Sequence, residues 1–73
     1  MPVPIPRLGE NIRRLREQRG LSQLALARAA GIDQGHLSAI EHGKRPDPQV
    51  SVLNAIARAL GVTLDEVLDV SSE

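Results

Sequence analysis

The 73-residue sequence has no cysteine, no phenylalanine, no tyrosine and no tryptophan, and its formal net charge is zero. Without cysteine there is no disulfide, no thiolate zinc site and no thiol nucleophile. Without aromatic rings the core must be aliphatic. A surface for single-stranded nucleic acid, which stacks bases on such rings, also loses its main device. An aromatic cage for a quaternary ammonium is excluded for the same reason. No stretch is long and apolar enough to span a membrane. The opening Met-Pro-Val-Pro-Ile-Pro lacks the apolar core of a signal peptide, so the cytoplasm is the expected compartment. There is no Ser/His/Asp set, no glycine-rich phosphate loop ahead of a helix and no carboxylate pair placed in a cleft. An enzyme is therefore not expected, nor is a cofactor.

The zero net charge conceals a segregated distribution. Residues 1–58 hold all nine cations and five acids, a balance of +4, whereas residues 59–73 hold four acids and no cation. A molecule polarised in this way can present a basic face to a polyanion; the alternative is scattered surface charge without meaning.

Hydrophobic residues make up 41% and charged residues 25%, ordinary values for one small globular domain. Pro2, Pro4 and Pro6 alternate with Val3 and Ile5, so residues 1–6 read as a short extended arm. The domain proper is expected over residues 7–70, with 71–73 a frayed tail. From Leu8 the spacing becomes helical: Leu8, Ile12, Leu15 and Arg16 share one stripe that Gly20 ends. Ser22 reads as an N-cap, followed by Leu26, Ala27 and Ala30 on the inner side of a second helix that Gly31 stops. Asp33 is the next N-cap, with Leu37, Ile40 and Glu41 on one face and Gly43 at the end. Asp47 and Pro48 suit the N-cap and first position of a fourth helix carrying Leu53, Ile56, Ala57 and Leu60. Thr63 and Glu66 have the spacing of a capping box that opens a fifth helix with Leu64, Val67 and Leu68. The expected fold class is all-α, with five short helices and no strand.

The informative stretch is Gln23 to Gly43. Two short helices flank the tight turn Ala-Gly-Ile-Asp, with small Ala27 where the second helix must approach and Gly31 where a positive φ is needed. Together these features describe a helix-turn-helix. The chain closely resembles the Cro/repressor-type (XRE-like) helix-turn-helix family from about Leu8 to Leu68. The resemblance is carried by Leu21-Ser22-Gln23, Leu26-Ala27, Ala30-Gly31, the run Leu37 to Lys44, and Ala59 to Leu64. It implies a compact five-helix, lambda-repressor-like domain that binds double-stranded DNA as a dimer and regulates transcription, most often as a repressor.

The residues of the third helix, about Asp33 to His42, agree with that implication. Stepping 100° per residue from Leu37 places Ile40 and Glu41 inward, and Gly35, Ser38, Ala39 and His42 outward. An outward face of small residues suits close approach to a major groove; an ordinary exposed face that happens to be small is the alternative. Gln34, at the start of the helix, can read adenine through a bidentate amide. Ser38 can bond a base edge, Ala39 can meet a thymine methyl, and Gly35 stands where some relatives carry a long polar residue. The resemblance further implies that Gln23 steadies Gln34 and touches phosphate. It also implies that the loop after the recognition helix, with His42, Lys44 and Arg45, contacts phosphate. Arg13 on the first helix, with Arg14 beside it, is a further phosphate candidate.

Arg16 and Glu41 both fall on inward faces. A charge facing a core is costly unless paired, so each is expected to be the other's partner, a structural role that the resemblance also implies. The alternative is that the Arg16 side chain snorkels out. His36 and His42 lie about 240° apart around a helix and lack further ligands, so no metal site is expected. Apolar Leu64, Val67, Leu68 and Val70 exceed what a short helix buries and mark the fifth helix and nearby loop as the expected homodimer surface. The competing reading is a protein-interaction module of the same fold, such as an antitoxin or assembly domain.

Overall fold

Leu8, Ile12 and Leu15 recur at helical spacing, and all three are buried along α1, which spans Leu8–Gln18. The computed structural model describes residues 7–44 and 48–68 of the chain. Four more helices follow: α2 (Gln23–Ala30), α3 (Gln34–Glu41), α4 (Val50–Leu60) and α5 (Leu64–Leu68). No strand occurs among the described residues, so the fold is the all-α, five-helix one read from the sequence. The arm at residues 1–6 and the tail at 71–73 lie outside the described residues, as do Arg45, Asp47 and Val70.

The helix starts and stops follow local chemistry. The Ser22 hydroxyl accepts the Ala25 N–H at 3.0 Å, and the Asp33 carboxylate accepts the Gly35 N–H at 2.9 Å. Thr63 and Glu66 form a reciprocal capping box, with N–H to side-chain oxygen distances of 3.0 and 3.1 Å. Gly31 ends α2 at φ 73°, a conformation that only glycine adopts without strain. The Ile32 N–H then reaches back to the Ala27 carbonyl at 2.9 Å, closing the helix and fixing the sharp turn into α3.

The start of α4 differs from the sequence reading. Pro48 is not its first residue: the helix begins at Val50, with Gln49 at an N-cap that makes no side-chain bond. Its first intrahelical bonds run from the Val52 and Leu53 N–H groups to the Gln49 carbonyl, and Val50 is left 63% exposed.

The apolar part of the core is aliphatic, with Ile12, Leu26, Leu37, Ile40, Ile56 and Val67 fully buried. α2 packs mainly on α4 and also on α3, while α1 packs on α3 and α5 and α4 closes on α5. Two small features seat these helices. The side-chain amide of buried Asn11 donates to the Val67 carbonyl at 3.2 Å, tying α5 to α1. Gly9 lies where α1 meets the end of α3: a Cβ there would collide with the backbone carbonyl oxygens of Ile40 and Glu41. Backbone atoms cannot swing aside as a flexible side chain can, so α1 and α3 pack this closely only because position 9 carries no side chain.

Gly9→Ala is therefore expected to lower stability by roughly 1–3 kcal/mol, the usual cost of forcing extra atoms into a packed contact. Urea melts read the effect as a lower midpoint at unchanged slope. An unchanged midpoint would mean that the two helices separate without cost.

Candidate nucleic-acid interface

On α3, Leu37 and Ile40 are fully buried and Glu41 is buried with them. The opposite face carries exposed Gln34, Gly35 and His42, with Ser38 and Ala39 half-buried. The residues expected to face outward do so, and together they make a shallow surface with few side-chain atoms. Gly35 is instructive. Its φ is not positive, and a Cβ there would meet only the Asp33 carboxylate oxygen, at 2.9 Å, the atom that also accepts the Gly35 N–H. The missing side chain leaves this part of the outer surface low.

What holds this face in place is a buried ion pair. Arg16 Nε donates to Glu41 Oε2 at 2.7 Å and an Nη donates to Oε1 at 3.1 Å, a two-pronged contact between α1 and the last turn of α3. The other Nη donates to the Leu21 carbonyl at 2.8 Å, in the link between α1 and α2. The Gln23 amide donates to Glu41 Oε1 at 3.0 Å. One carboxylate thus ties three helices together. Only 12% of the Arg16 side chain and 2% of the Glu41 side chain is exposed, so the pair lies in the core and Arg16 does not snorkel out. The guanidinium is held above its ordinary pKa, first by the hydrogen bond to Glu41. Burial opposes the rise, and the charges of Glu41 and Glu17 add to it. Among the described residues no buried side-chain nitrogen or oxygen is left without a hydrogen-bond partner.

The Gln23 side-chain nitrogen is bonded to Glu41, because a buried carboxylate within reach of the first turn of α2 is a stronger acceptor than a neutral amide.

Three phosphate candidates from separate helices converge. Arg13 from α1, Gln23 from α2 and His42 at the end of α3 line one open cleft of about 230 Å³, with Arg16 and Glu41 behind them. Arg13 is paired with Glu17 at 3.1 Å, but both side chains are more than half exposed, and such pairs exchange partners at little cost. His42 caps α3, with ring Nδ1 2.8 Å from the Ser38 carbonyl. Lys44 is exposed just beyond, its backbone N–H bonded to the Ala39 carbonyl at 2.9 Å, which anchors the start of the loop to α3. Arg45 belongs to the residues not described.

Gly9 and Asn11 position this site, and the sequence pattern alone does not single them out. Both fall on the inward stripe of α1, so a glycine and a polar amide at core-facing positions are the available signal.

The Helix-turn-helix family model matches residues 12–67. The chain is 38% identical over 66 residues to the HTH-type transcriptional regulator y4dJ of Sinorhizobium fredii, covering 90% of this chain and 84% of that protein. It is 34% identical to the immunity repressor protein of Bacillus phage phi105 over 84% of this chain, but spans only 42% of that repressor. Among solved structures, the biofilm master regulator SinR in complex with DNA superposes with a TM-score of 0.82. The two are 31% identical, over 85% of this chain and 98% of the SinR chain.

Removing either partner of the Arg16–Glu41 pair strands a charge in the core and is expected to cost about 3–5 kcal/mol. Replacing both by apolar side chains is expected to cost much less than the sum of Arg16→Met and Glu41→Leu. A double-mutant cycle in urea melts measures this coupling. Small, additive effects would show that the pair contributes little.

Proposed function

The chain belongs to the helix-turn-helix family, and we propose that it is a non-enzymatic, sequence-specific regulator of transcription, a repressor in type. It reads double-stranded DNA with α3 in the major groove. The observation that carries this reading is the convergence of Arg13, Gln23 and His42 on one cleft at the end of the small-residue face of α3. Donors from three helices around one space suit a backbone phosphate, which takes hydrogen bonds from several directions. The N-terminus of α2 adds its own unsatisfied N–H groups beside Gln23.

The roles divide by chemistry. Gln34, Gly35, Ser38 and Ala39 meet base edges, Gln34 through a bidentate contact and the others through close approach. Gln23, His42, Lys44, Arg45 and Arg13 hold phosphates and set the register. Arg16 and Glu41 touch no DNA and hold α3 at its angle. A homodimer through α5 and the nearby loop places two such faces about one helical turn apart. The apolar surface for that contact comes from half-buried Leu64 and Leu68, since Val67 is fully buried in its own core. A cytoplasmic location belongs to the same proposal. No described helix is long and apolar enough to cross a membrane.

Selection of bound sites from a pool of random duplexes tests the proposal: an enriched inverted repeat is expected. Absence of any salt-sensitive DNA binding, together with a retained protein partner, would favour an interaction module instead. Gln34→Ala is expected to reduce discrimination at the selected site by roughly 1–3 kcal/mol and to leave random duplex nearly untouched. Lys44→Ala is expected to weaken selected and random DNA alike. It should also reduce the slope of log affinity against log salt by about 0.9 for each phosphate that Lys44 would otherwise neutralise. Equal weakening on every sequence for Gln34→Ala would make that residue a positioning group.

A further inference from the structure

His42 is placed at the cleft in a state that its surroundings define. A carbonyl oxygen only accepts, so the 2.8 Å contact from ring Nδ1 to the Ser38 carbonyl requires the proton on Nδ1. The Ser38 hydroxyl lies 3.4 Å from the same nitrogen, and the Ser38 carbonyl also takes the His42 backbone N–H at 3.0 Å. In the neutral ring, Nε2 is then a bare lone pair on an exposed side chain. A phosphate oxygen is also an acceptor. With the Ser38 carbonyl holding the proton on Nδ1, the neutral ring sets lone pair against lone pair, and in that tautomer it serves a phosphate only after Nε2 has gained a proton.

Other charged groups line the same cleft. From α1, Arg13 and Arg16 line the cleft; from α3, Glu41 does; α2 contributes only the neutral amide of Gln23. Arg16 and Glu41 are spent on each other at 2.7 Å, and Arg13 is shared with Glu17. Lys44 follows two residues later in the exposed loop. The cleft thus holds one group whose ability to donate depends on a proton taken from solvent.

We propose that His42 is a proton-dependent phosphate ligand: it contacts the DNA backbone only as the imidazolium, so DNA binding takes up one proton per bound copy. This inference rests on the DNA reading given above. Nδ1–H stays on the Ser38 carbonyl, the incoming proton sits on Nε2, and Nε2–H donates to the phosphate oxygen. Histidine changes charge between about pH 5 and 8. DNA affinity is therefore coupled to proton concentration through a residue that reads no base.

The test is the affinity of the full chain for a short mixed-sequence duplex at fixed salt across that pH interval. Wild-type affinity is expected to rise as pH falls, by up to about tenfold per pH unit for each bound protomer. His42→Gln is expected to flatten the profile, and His36→Gln to leave it intact. His42→Arg, charged throughout, is expected to bind at high pH as the wild type does at low pH. Ring nitrogen chemical shifts give a second readout. In free protein at the high end of that pH interval they should report the Nδ1–H tautomer, and adding duplex at the same pH should convert the ring to imidazolium. Binding that is flat with pH, a profile unchanged in His42→Gln, or a ring that stays neutral on DNA overturns the inference and leaves the DNA reading standing. No binding at any pH at low salt overturns both.

Discussion

The carboxylate of Glu41 is the constraint on which the rest of the arrangement depends. It lies on the inward side of the helix whose outward side carries the proposed reading face, with 2% of its side chain exposed. An ionised group so buried is stable only when its oxygens are fully used. Arg16 and Gln23 use them, from α1 and α2, and the geometry of those hydrogen bonds fixes where the last turn of α3 can sit. A buried pair of this kind is weak evidence for stability, since an apolar replacement can serve as well. Its consequence here is positional: three helices share one charge, so α3 cannot slide without breaking it.

The same junction explains the backbone approach at Gly9. α1 must come close enough to α3 for Arg16 to reach Glu41, and a side chain at position 9 would meet the carbonyl oxygens of Ile40 and Glu41 first. The aliphatic core alone does not specify this distance, because leucine and isoleucine side chains repack at modest cost. A hydrogen-bonded ion pair and a glycine contact do specify it. Asn11 plays the matching part on the other side of α1, holding α5 through the Val67 carbonyl.

Part of the charge pattern along the chain can be followed in space. The exposed acids Asp65 and Glu66 stand on α5, which packs on α1 and α4 and not chiefly on the α2–α3 pair. The cations Arg13 and Lys44 stand at the cleft and just beyond α3. A net charge of zero does not preclude attraction of a polyanion to these cations, because the potential it feels at close range is set by the nearest charges.

The five helices, the caps at Ser22 and Asp33, the capping box at Thr63 and the stop at Gly31 are all legible in the sequence. Each depends on residues within four positions of one another, and local sterics and hydrogen bonding settle such features. The inward and outward faces of α3 are legible for the same reason, since a fixed 100° step needs no partner. The pairing of Arg16 with Glu41 is inferable because two charges on core faces have few other solutions. The start of α4 is not, because the cap–proline pattern at Asp47 and Pro48 points to Pro48 as its first residue and the helix begins at Val50. The need for Gly9, the clip from Asn11 to Val67 and the commitment of Gln23 to Glu41 emerge only with the tertiary structure. So does the meeting of Arg13, Gln23 and His42 at one cleft. These contacts join residues from different helices, and their partners are chosen by how the helices pack, which no local pattern in the chain encodes.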